Sequence, residues 1–345
     1  MAKKWQPPSD WTKITTLDVH AAGEPLRIIT GGIPALPGKT ILEKRHYAKN
    51  NLEHIRTALM WEPRGHADMY GCILTEPVTP DGTLGVLFLH NEGYSTMCGH
   101  AVIGLTFAGL DTGLIDLPGN NPVIKLDTPA GRVTATAFRK NGRVDEAAFQ
   151  NVPSYVCAID KRIKIPEFGT ITLDIAFGGA YYAFCSAEEL GIRLIPDNLS
   201  SLIRAGMAVK RAVDRSVKIE HPFEKDLSFL YGTIIVGPPE NKNNHSRNVC
   251  IFAEGEVDRS PTGTGVSARA ALLYTRGEVK KNDFFTVESI LGTCFTTRVV
   301  KTTAFGSYPA VIPEVKGKAF ITGRHEFFID PKDPLRQGFI FRYPF

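Results

Sequence analysis

Short apolar runs separated by Gly and Pro dominate the hydrophobic pattern of this chain. Runs of this length and composition are typical of β-strands. The sequence predicts strands at 26–30, 85–90, 132–138, 170–177, 232–237 and 248–253. Four longer segments have helical patterns: 40–60, 98–112, 187–212 (interrupted by Pro196) and 262–276. The pattern therefore predicts a mixed fold in which strands are more numerous than helices.

The two segments that begin at Cys98 and Thr262 look like copies of one unit. A shift of 164 positions places Cys98 on Thr262, and it also superimposes Gly113 on Gly277. A glycine just beyond the last turn is a common end of a helix. Each copy has a strand, a short polar loop, a helix start of small residues, a helix and this glycine. Two such units are expected to face each other across a cleft.

Length and composition limit the class of protein. With 345 residues, the chain is long enough for two core-forming units. Its contents of 43% hydrophobic and 22% charged residues are those of globular proteins. No apolar run reaches the ~18 residues of a membrane span. The net charge of +4 is spread along the chain, so no nucleic-acid partner is predicted.

The six cysteines show neither paired spacing nor the clustering of a zinc site. The first residues lack the apolar core of a secretory signal. We therefore expect reduced thiols and a cytoplasmic location, with no structural metal.

Both helix starts are rich in glycine, as Cys98-Gly-His100 and Thr262-Gly-Thr-Gly265. A helix start presents unpaired N–H groups and the positive end of the helix dipole. Carboxylates bind well there, especially where glycine allows close approach to the backbone. If the two starts face one another, peptide N–H groups alone can hold a small carboxylate between them.

Cys98 is the candidate reactive residue. A helix start lowers the pKa of a thiol from ~8.5 to within ~3.5–7.5, and His100 lies two residues further on. A thiolate at this position acts as a nucleophile or a base. The alternative is a buried structural cysteine. Thr262 taken alone resembles an ordinary N-cap, and Asp258 is either a surface charge or the partner of a substrate ammonium.

Segment 263–268 also fits a relaxed dinucleotide-binding pattern, with Glu288 about 20 residues further on. However, the eight residues 254–261 lie between the preceding strand and the helix start at Thr262, whereas the pattern requires the turn to follow the strand directly. Too little chain also follows for a complete doubly wound sheet. Nicotinamide binding is therefore disfavoured.

Two motifs resemble the active-site signatures of the proline racemase family: Met97-Cys98-Gly99-His100 and Asp258-Arg-Ser-Pro-Thr262-Gly-Thr-Gly265. The segments 20–25 and 174–179 are similar as well, and the resemblance extends from about residue 15 to 340. It implies an α+β fold with two pseudo-symmetric halves of the diaminopimelate-epimerase type. Each half is expected to be a β-barrel-like sheet around a central helix.

The resemblance also implies a division of the chain and a role for each site residue. The half with Cys98 would contain 12–151 plus about 318–345, and the half with Thr262 would contain 152–317, with the active site in the cleft between them. Cys98 would be the catalytic acid/base, and His100 and Asp258 would contact the ring nitrogen of an imino acid. The backbone of four residues would bind the carboxylate: Gly99, His100, Gly263 and Thr264. No metal or organic cofactor is implied, and the family makes a homodimer plausible.

One position departs from the racemase pattern. Racemases and 4-hydroxyproline epimerases of this family have a cysteine at both helix starts, whereas Thr262 occupies the second start here. Threonine is the pattern of the family's trans-3-hydroxy-L-proline dehydratases. The expected activity is elimination of water to Δ1-pyrroline-2-carboxylate, with Cys98 as base. Two alternatives stay open: a proline or hydroxyproline racemase or epimerase with a water-assisted second face, and a non-catalytic imino-acid-binding protein.

Overall fold

Eighteen strands of one continuous sheet and five α-helices make up the fold within residues 5–341, the part of the chain that this computed structural model describes. The strands are β1 (Thr12–Ala21), β2 (Glu24–Gly31), β3 (Tyr70–Thr75), β4 (Leu84–His90), β5 (Gly93–Ser95), β6 (Val123–Thr128), β7 (Gly131–Lys140), β8 (Arg143–Gln150), β9 (Ser154–Ile165), β10 (Gly169–Phe177), β11 (Tyr181–Ser186), β12 (Leu230–Gly237), β13 (Ser246–Phe252), β14 (Glu256–Asp258), β15 (Phe285–Glu288), β16 (Cys294–Phe305), β17 (Tyr308–Gly317) and β18 (Ala319–Ile329). The helices are α1 (Ile41–Asn51), α2 (Glu53–Met60), α3 (Gly99–Asp111), α4 (Leu199–Ser216) and α5 (Gly263–Thr275). All six predicted strands are present.

The strands pair in the same way in both halves of the chain. In the first half, β1 to β5 pair in sequence, with only β2 and β3 parallel, and β4 then pairs in parallel with β6. In the second half, β10 to β14 repeat this order, with β11 and β12 parallel, and β13 pairs in parallel with β15. The two antiparallel strands that follow also correspond, as β7 and β8 do to β16 and β17. The predicted α+β fold with pseudo-symmetric halves is confirmed.

β9 and β18 follow the repeated strands at equivalent points of the chain. β9 pairs with β10, and β18 pairs with β1 near the other end of the chain. In the predicted division the segment from about residue 318 returns to the first half, and this division stays a prediction. Residues 342–345 of that segment lie outside the described residues.

The central helices α3 and α5 are separated by the predicted 164 positions and are buried almost along their whole length. α3 packs against β1, β7, β8 and β18, and α5 packs against β9, β10, β16 and β17. A helix that is apolar all round is stable only inside a core. Both helices are followed by a glycine in the left-handed region, Gly113 at φ 74° and Gly277 at φ 73°, which is the predicted helix end.

Two of the helix predictions need correction. The helix expected at 40–60 is divided at Leu52, whose φ of −118° and ψ of 17° interrupt the helical backbone. The helix expected at 187–212 is wrong over 187–198, where turns and a short 3₁₀ helix at Pro196–Asn198 precede α4. Proline lacks the N–H that a helix interior needs, so the α-helix begins beyond it. None of the helices within residues 5–341 is long and apolar enough to cross a membrane.

Candidate active site

The starts of α3 and α5 meet at two glycines. A Cβ atom built on Gly99 would lie 2.6 Å from the Cα atom of Gly263, and one built on Gly263 would lie 2.7 Å from the Cα atom of Gly99. Only glycine permits this approach of two backbones. The two helix starts therefore meet at the boundary between the halves, as the duplicated pattern predicts.

A small cavity lies at this junction, and every residue predicted for the site lines it: Cys98, Gly99, His100, Asp258, Thr262, Gly263 and Thr264. The free volume between the lining side chains is only about 20 Å³, which is room for about one water molecule. An imino acid is much larger than a water molecule. The two halves must therefore separate, or lining side chains must move, before such a molecule can enter.

Four aromatic side chains also line the cavity, and sequence reasoning missed them. Tyr231 stacks on Phe252 with ring centroids 5.2 Å apart, and Tyr70 meets the His100 ring edge-on at 4.8 Å. The Tyr182 hydroxyl lies 2.6 Å from Oγ1 of Thr264. These residues come from separate strands, so no local pattern in the sequence groups them.

Cys98 occupies the N-cap position of α3, and its Sγ atom lies 3.2 Å from Nδ1 of His100. Burial raises the pKa of this thiol well above its usual value, and Asp258 adds to the increase, whereas the N–H of Ala101 acts in the opposite direction. Burial also lowers the pKa of His100 to about 3, so its imidazole is neutral. The predicted low pKa of Cys98 is thus wrong for this closed geometry, because the loss of hydration outweighs the helix start.

Thr262 is at the equivalent position of α5, but it is not an ordinary N-cap. Its side chain makes no capping hydrogen bond, and its φ of 66° is in the left-handed region. The hydroxyl is buried in the cavity wall, where it acts to lower the pKa of the neighbouring Asp258 carboxyl and of the Cys250 thiol. A β-branched residue rarely adopts this conformation, and strain of this kind is concentrated at functional sites.

Asp258 is 6% exposed, so its interpretation as a surface charge is wrong. Its Oδ1 atom accepts a hydrogen bond of 2.7 Å from the backbone N–H of Ser260. Burial raises the pKa of the carboxyl group to about 6, although the Ser260 hydrogen bonds favour the ionised form. A buried carboxylate in a cavity suits a cationic ligand.

The glycines at the start of α5 do not belong to a dinucleotide-binding unit. The preceding strand, β14, has three residues and runs antiparallel to β13, whereas the dinucleotide pattern requires a parallel βαβ unit. Glu288 instead accepts hydrogen bonds from Arg247 and from the backbone at 240 and 241.

Comparison with known proteins agrees with the resemblance read from the motifs. The family described as "Proline racemase" matches residues 16–340. A trans-3-hydroxy-L-proline dehydratase of Colwellia psychrerythraea is 45% identical over 99% of this chain and 97% of its own length. A 3-hydroxyproline 2-epimerase of Burkholderia multivorans is 43% identical over 95% of this chain and 98% of its own. The crystal structure of a hydroxyproline epimerase from Agrobacterium vitis, with bound trans-4-hydroxy-L-proline, superimposes with a TM-score of 0.91 at 31% identity, over 96% of both chains.

Proposed function

This chain belongs to the proline racemase family, and we propose that it is a cofactor-independent hydro-lyase that converts trans-3-hydroxy-L-proline to Δ1-pyrroline-2-carboxylate. The observation that carries the proposal is the pair of residues at the two helix starts. Cys98 supplies a thiol on one side of the cavity, and Thr262 supplies only a hydroxyl on the other. The name of the Colwellia relative agrees with this activity.

The substrate carboxylate would lie between the helix starts, where the N–H groups at Gly99, His100, Gly263 and Thr264 converge. The buried carboxyl of Asp258 would accept a hydrogen bond from the ring ammonium, with His100 beside it. This orientation directs the Cα–H bond toward Cys98. It also places the charge that develops on Cα next to two positive helix ends, where preorganised dipoles stabilise it.

The bound substrate would also activate Cys98. Burial and the Asp258 carboxyl raise the pKa of the thiol, so the thiolate needs a positive neighbour. The substrate ammonium is such a neighbour, and a positive charge within ~4–6 Å favours the charged form of a thiol. We therefore expect the reactive thiolate to form in the complex.

Elimination then needs only one proton-transfer group. In trans-3-hydroxy-L-proline the hydroxyl and the carboxylate lie on opposite faces of the ring, so the C2 hydrogen and the hydroxyl share a face. The Cys98 thiolate takes the C2 proton, the C2–C3 double bond forms, and the C3–O bond breaks. The same thiol returns its proton to the departing oxygen, which releases water and restores the thiolate. The enamine product tautomerises to Δ1-pyrroline-2-carboxylate.

Epimerisation at C2 is the second candidate, and the name of the Burkholderia relative favours it. It would require a proton donor on the Thr262 side. A threonine hydroxyl is a poor acid near neutral pH, so a water molecule would have to donate the proton to C2. Dehydration needs no such donor, which makes it the better match for Cys98 paired with Thr262.

A substrate panel tests the proposal. The purified chain is incubated with the isomers of proline, 3-hydroxyproline and 4-hydroxyproline, and products are identified by mass. Loss of one water from trans-3-hydroxy-L-proline alone supports the proposal. A 2-epimer of unchanged mass supports the second candidate, and saturable binding with no product would identify a binding protein.

The proposal includes a cytoplasmic location and a homodimer. Cys72, Cys98, Cys157, Cys185, Cys250 and Cys294 are all unpaired thiols, as expected for a reducing compartment. The homodimer is a prediction from the family resemblance, and light scattering of the purified chain tests it.

A further inference from the structure

The catalytic cavity contains a second buried carboxyl group, that of Glu24. This residue begins β2 of the first half and is 0% exposed. Its Oε2 atom accepts a hydrogen bond of 2.7 Å from the backbone N–H of Arg259, whereas Oε1 has no hydrogen-bond partner among the described residues. A buried carboxyl oxygen without a partner destabilises the fold, so a ligand that donates a hydrogen bond to it gains affinity.

Glu24 and Asp258 are held side by side from opposite halves. The N–H of Arg259 binds Glu24, and the next N–H along the chain, that of Ser260, binds Asp258. Burial raises the pKa of Glu24 well above its usual range, and the neighbouring Asp258 raises it further, while Arg259 acts in the opposite direction. Two carboxyl groups that disfavour each other's ionisation form a receptor for a cation.

His100 is less available to the ring nitrogen than the family resemblance implies. Its Nδ1 atom lies 3.2 Å from Sγ of Cys98, and its ring also interacts with the backbone carbonyl of Pro25. Nε2 of His100 also lies 3.6 Å from the same Sγ atom, so both ring nitrogens lie close to the thiol. The second N–H of a ring ammonium therefore needs another acceptor.

We propose that Glu24 binds the second N–H of the substrate ring ammonium, so that Asp258 and Glu24 together recognise a secondary ammonium. Such an ammonium carries two diverging N–H donors, and the two halves each supply one carboxyl group to meet them. This inference rests on the proposed function in one respect, namely that the ligand is a cyclic imino acid. It makes Glu24 a determinant of substrate specificity that closes onto the ligand together with the first half.

The test compares two ligands that differ at nitrogen. L-Proline offers two N–H donors on a cation, whereas planar pyrrole-2-carboxylate offers one neutral N–H, which Asp258 can accept alone. Calorimetric titration of the full chain with each ligand gives the ratio of the two affinities. Proline has no 3-hydroxyl group to lose, so the result does not depend on whether the chain is a dehydratase.

In Glu24→Gln we expect the affinity for proline to fall by about tenfold or more, because one hydrogen bond to a charged group is lost. The affinity for pyrrole-2-carboxylate should stay near that of the wild type. Asp68→Asn is the matched control. Asp68 also forms an ion pair with Arg259, at 3.3 Å, but does not line the cavity, so both affinities should be retained.

Two results would overturn the inference. One is wild-type affinity for proline in Glu24→Gln. The other is an equal loss of both ligands, which would show that Glu24 only anchors Arg259. If Glu24→Gln does not fold, as judged by circular dichroism, Glu24→Asp replaces it. The shorter side chain keeps the carboxyl group but withdraws it from the nitrogen, so the same selective loss of proline affinity is expected.

Discussion

Adding a single methyl group at Gly99 should open the catalytic junction. The new Cβ atom of Gly99→Ala would lie 2.6 Å from the Cα atom of Gly263 and 2.8 Å from Cζ of Phe149. Ordinary contacts start near 3.4 Å, so the two helix starts must move apart by roughly 1 Å. Overpacking of this kind costs ~1–3 kcal/mol of folding stability, and a misplacement of 1 Å at a reacting centre costs ~100-fold in rate.

The assay for Gly99→Ala has two parts. Urea unfolding gives the loss of stability, and kcat/KM for trans-3-hydroxy-L-proline gives the loss of transition-state stabilisation. Gly93→Ala is the matched control, because a Cβ atom at Gly93 has no neighbour within 4 Å and the residue does not have a positive φ. It should leave both quantities close to wild type.

Folded Gly99→Ala with wild-type kcat/KM would contradict this prediction. That result would show that the contact between Gly99 and Gly263 does not set the position of the substrate carboxylate. A loss of stability with unchanged kinetics would lead to the same conclusion, since the contact would then serve packing alone.

Three further predictions concern single groups. Cys98→Ser should lower kcat by ~10²–10⁴, the range for loss of a proton-transfer group, while calorimetry still detects proline binding; near-normal turnover would remove Cys98 from the mechanism. Burial raises the pKa of Asp258 to about 6 in the ligand-free chain. The ionised carboxylate binds the ammonium, so calorimetric titrations should show the affinity for proline increasing as the pH rises through about 6. An affinity that does not depend on pH would exclude this carboxyl group as the partner of the cation. Nδ1 of His90 lies 2.9 Å from Oε1 of fully buried Glu256, which belongs to the other half. His90→Leu should therefore lower the free energy of unfolding, measured in urea, by ~1–3 kcal/mol. An unchanged free energy of unfolding would show that this pair does not help to hold the halves together.

Much of the fold could be predicted because its signals are local. Apolar runs bounded by Gly and Pro identified strands, and two glycine-rich helix starts 164 positions apart identified the duplication. The error at 187–198 is also local, since apolar residues there follow a helical spacing while Pro196 prevents the helix. Helical periodicity alone does not reveal which side of a proline the helix occupies.

The chemistry of the site was less predictable, because it depends on burial and on contacts between distant segments. The position of Cys98 follows from its motif, but its raised pKa follows from complete enclosure by both halves. Glu24 lies within a segment that resembles the family, yet its relation to Asp258 exists only once β2 meets the loop after β14. The spacing of Glu24 and Asp258 in the sequence does not indicate that they are neighbours in the structure.

Proton exchange in D₂O tests the central claim, that one face of the substrate meets a proton-transfer group and the other meets an inert hydroxyl. Wild-type chain and Thr262→Cys are each incubated with trans-3-hydroxy-L-proline in D₂O, and the remaining amino acid is resolved by chirality and mass. We expect the wild type to yield the cyclic imine and no deuterated 2-epimer, and Thr262→Cys to yield this epimer in addition. Accumulation of deuterated cis-3-hydroxy-D-proline with the wild type would contradict this expectation.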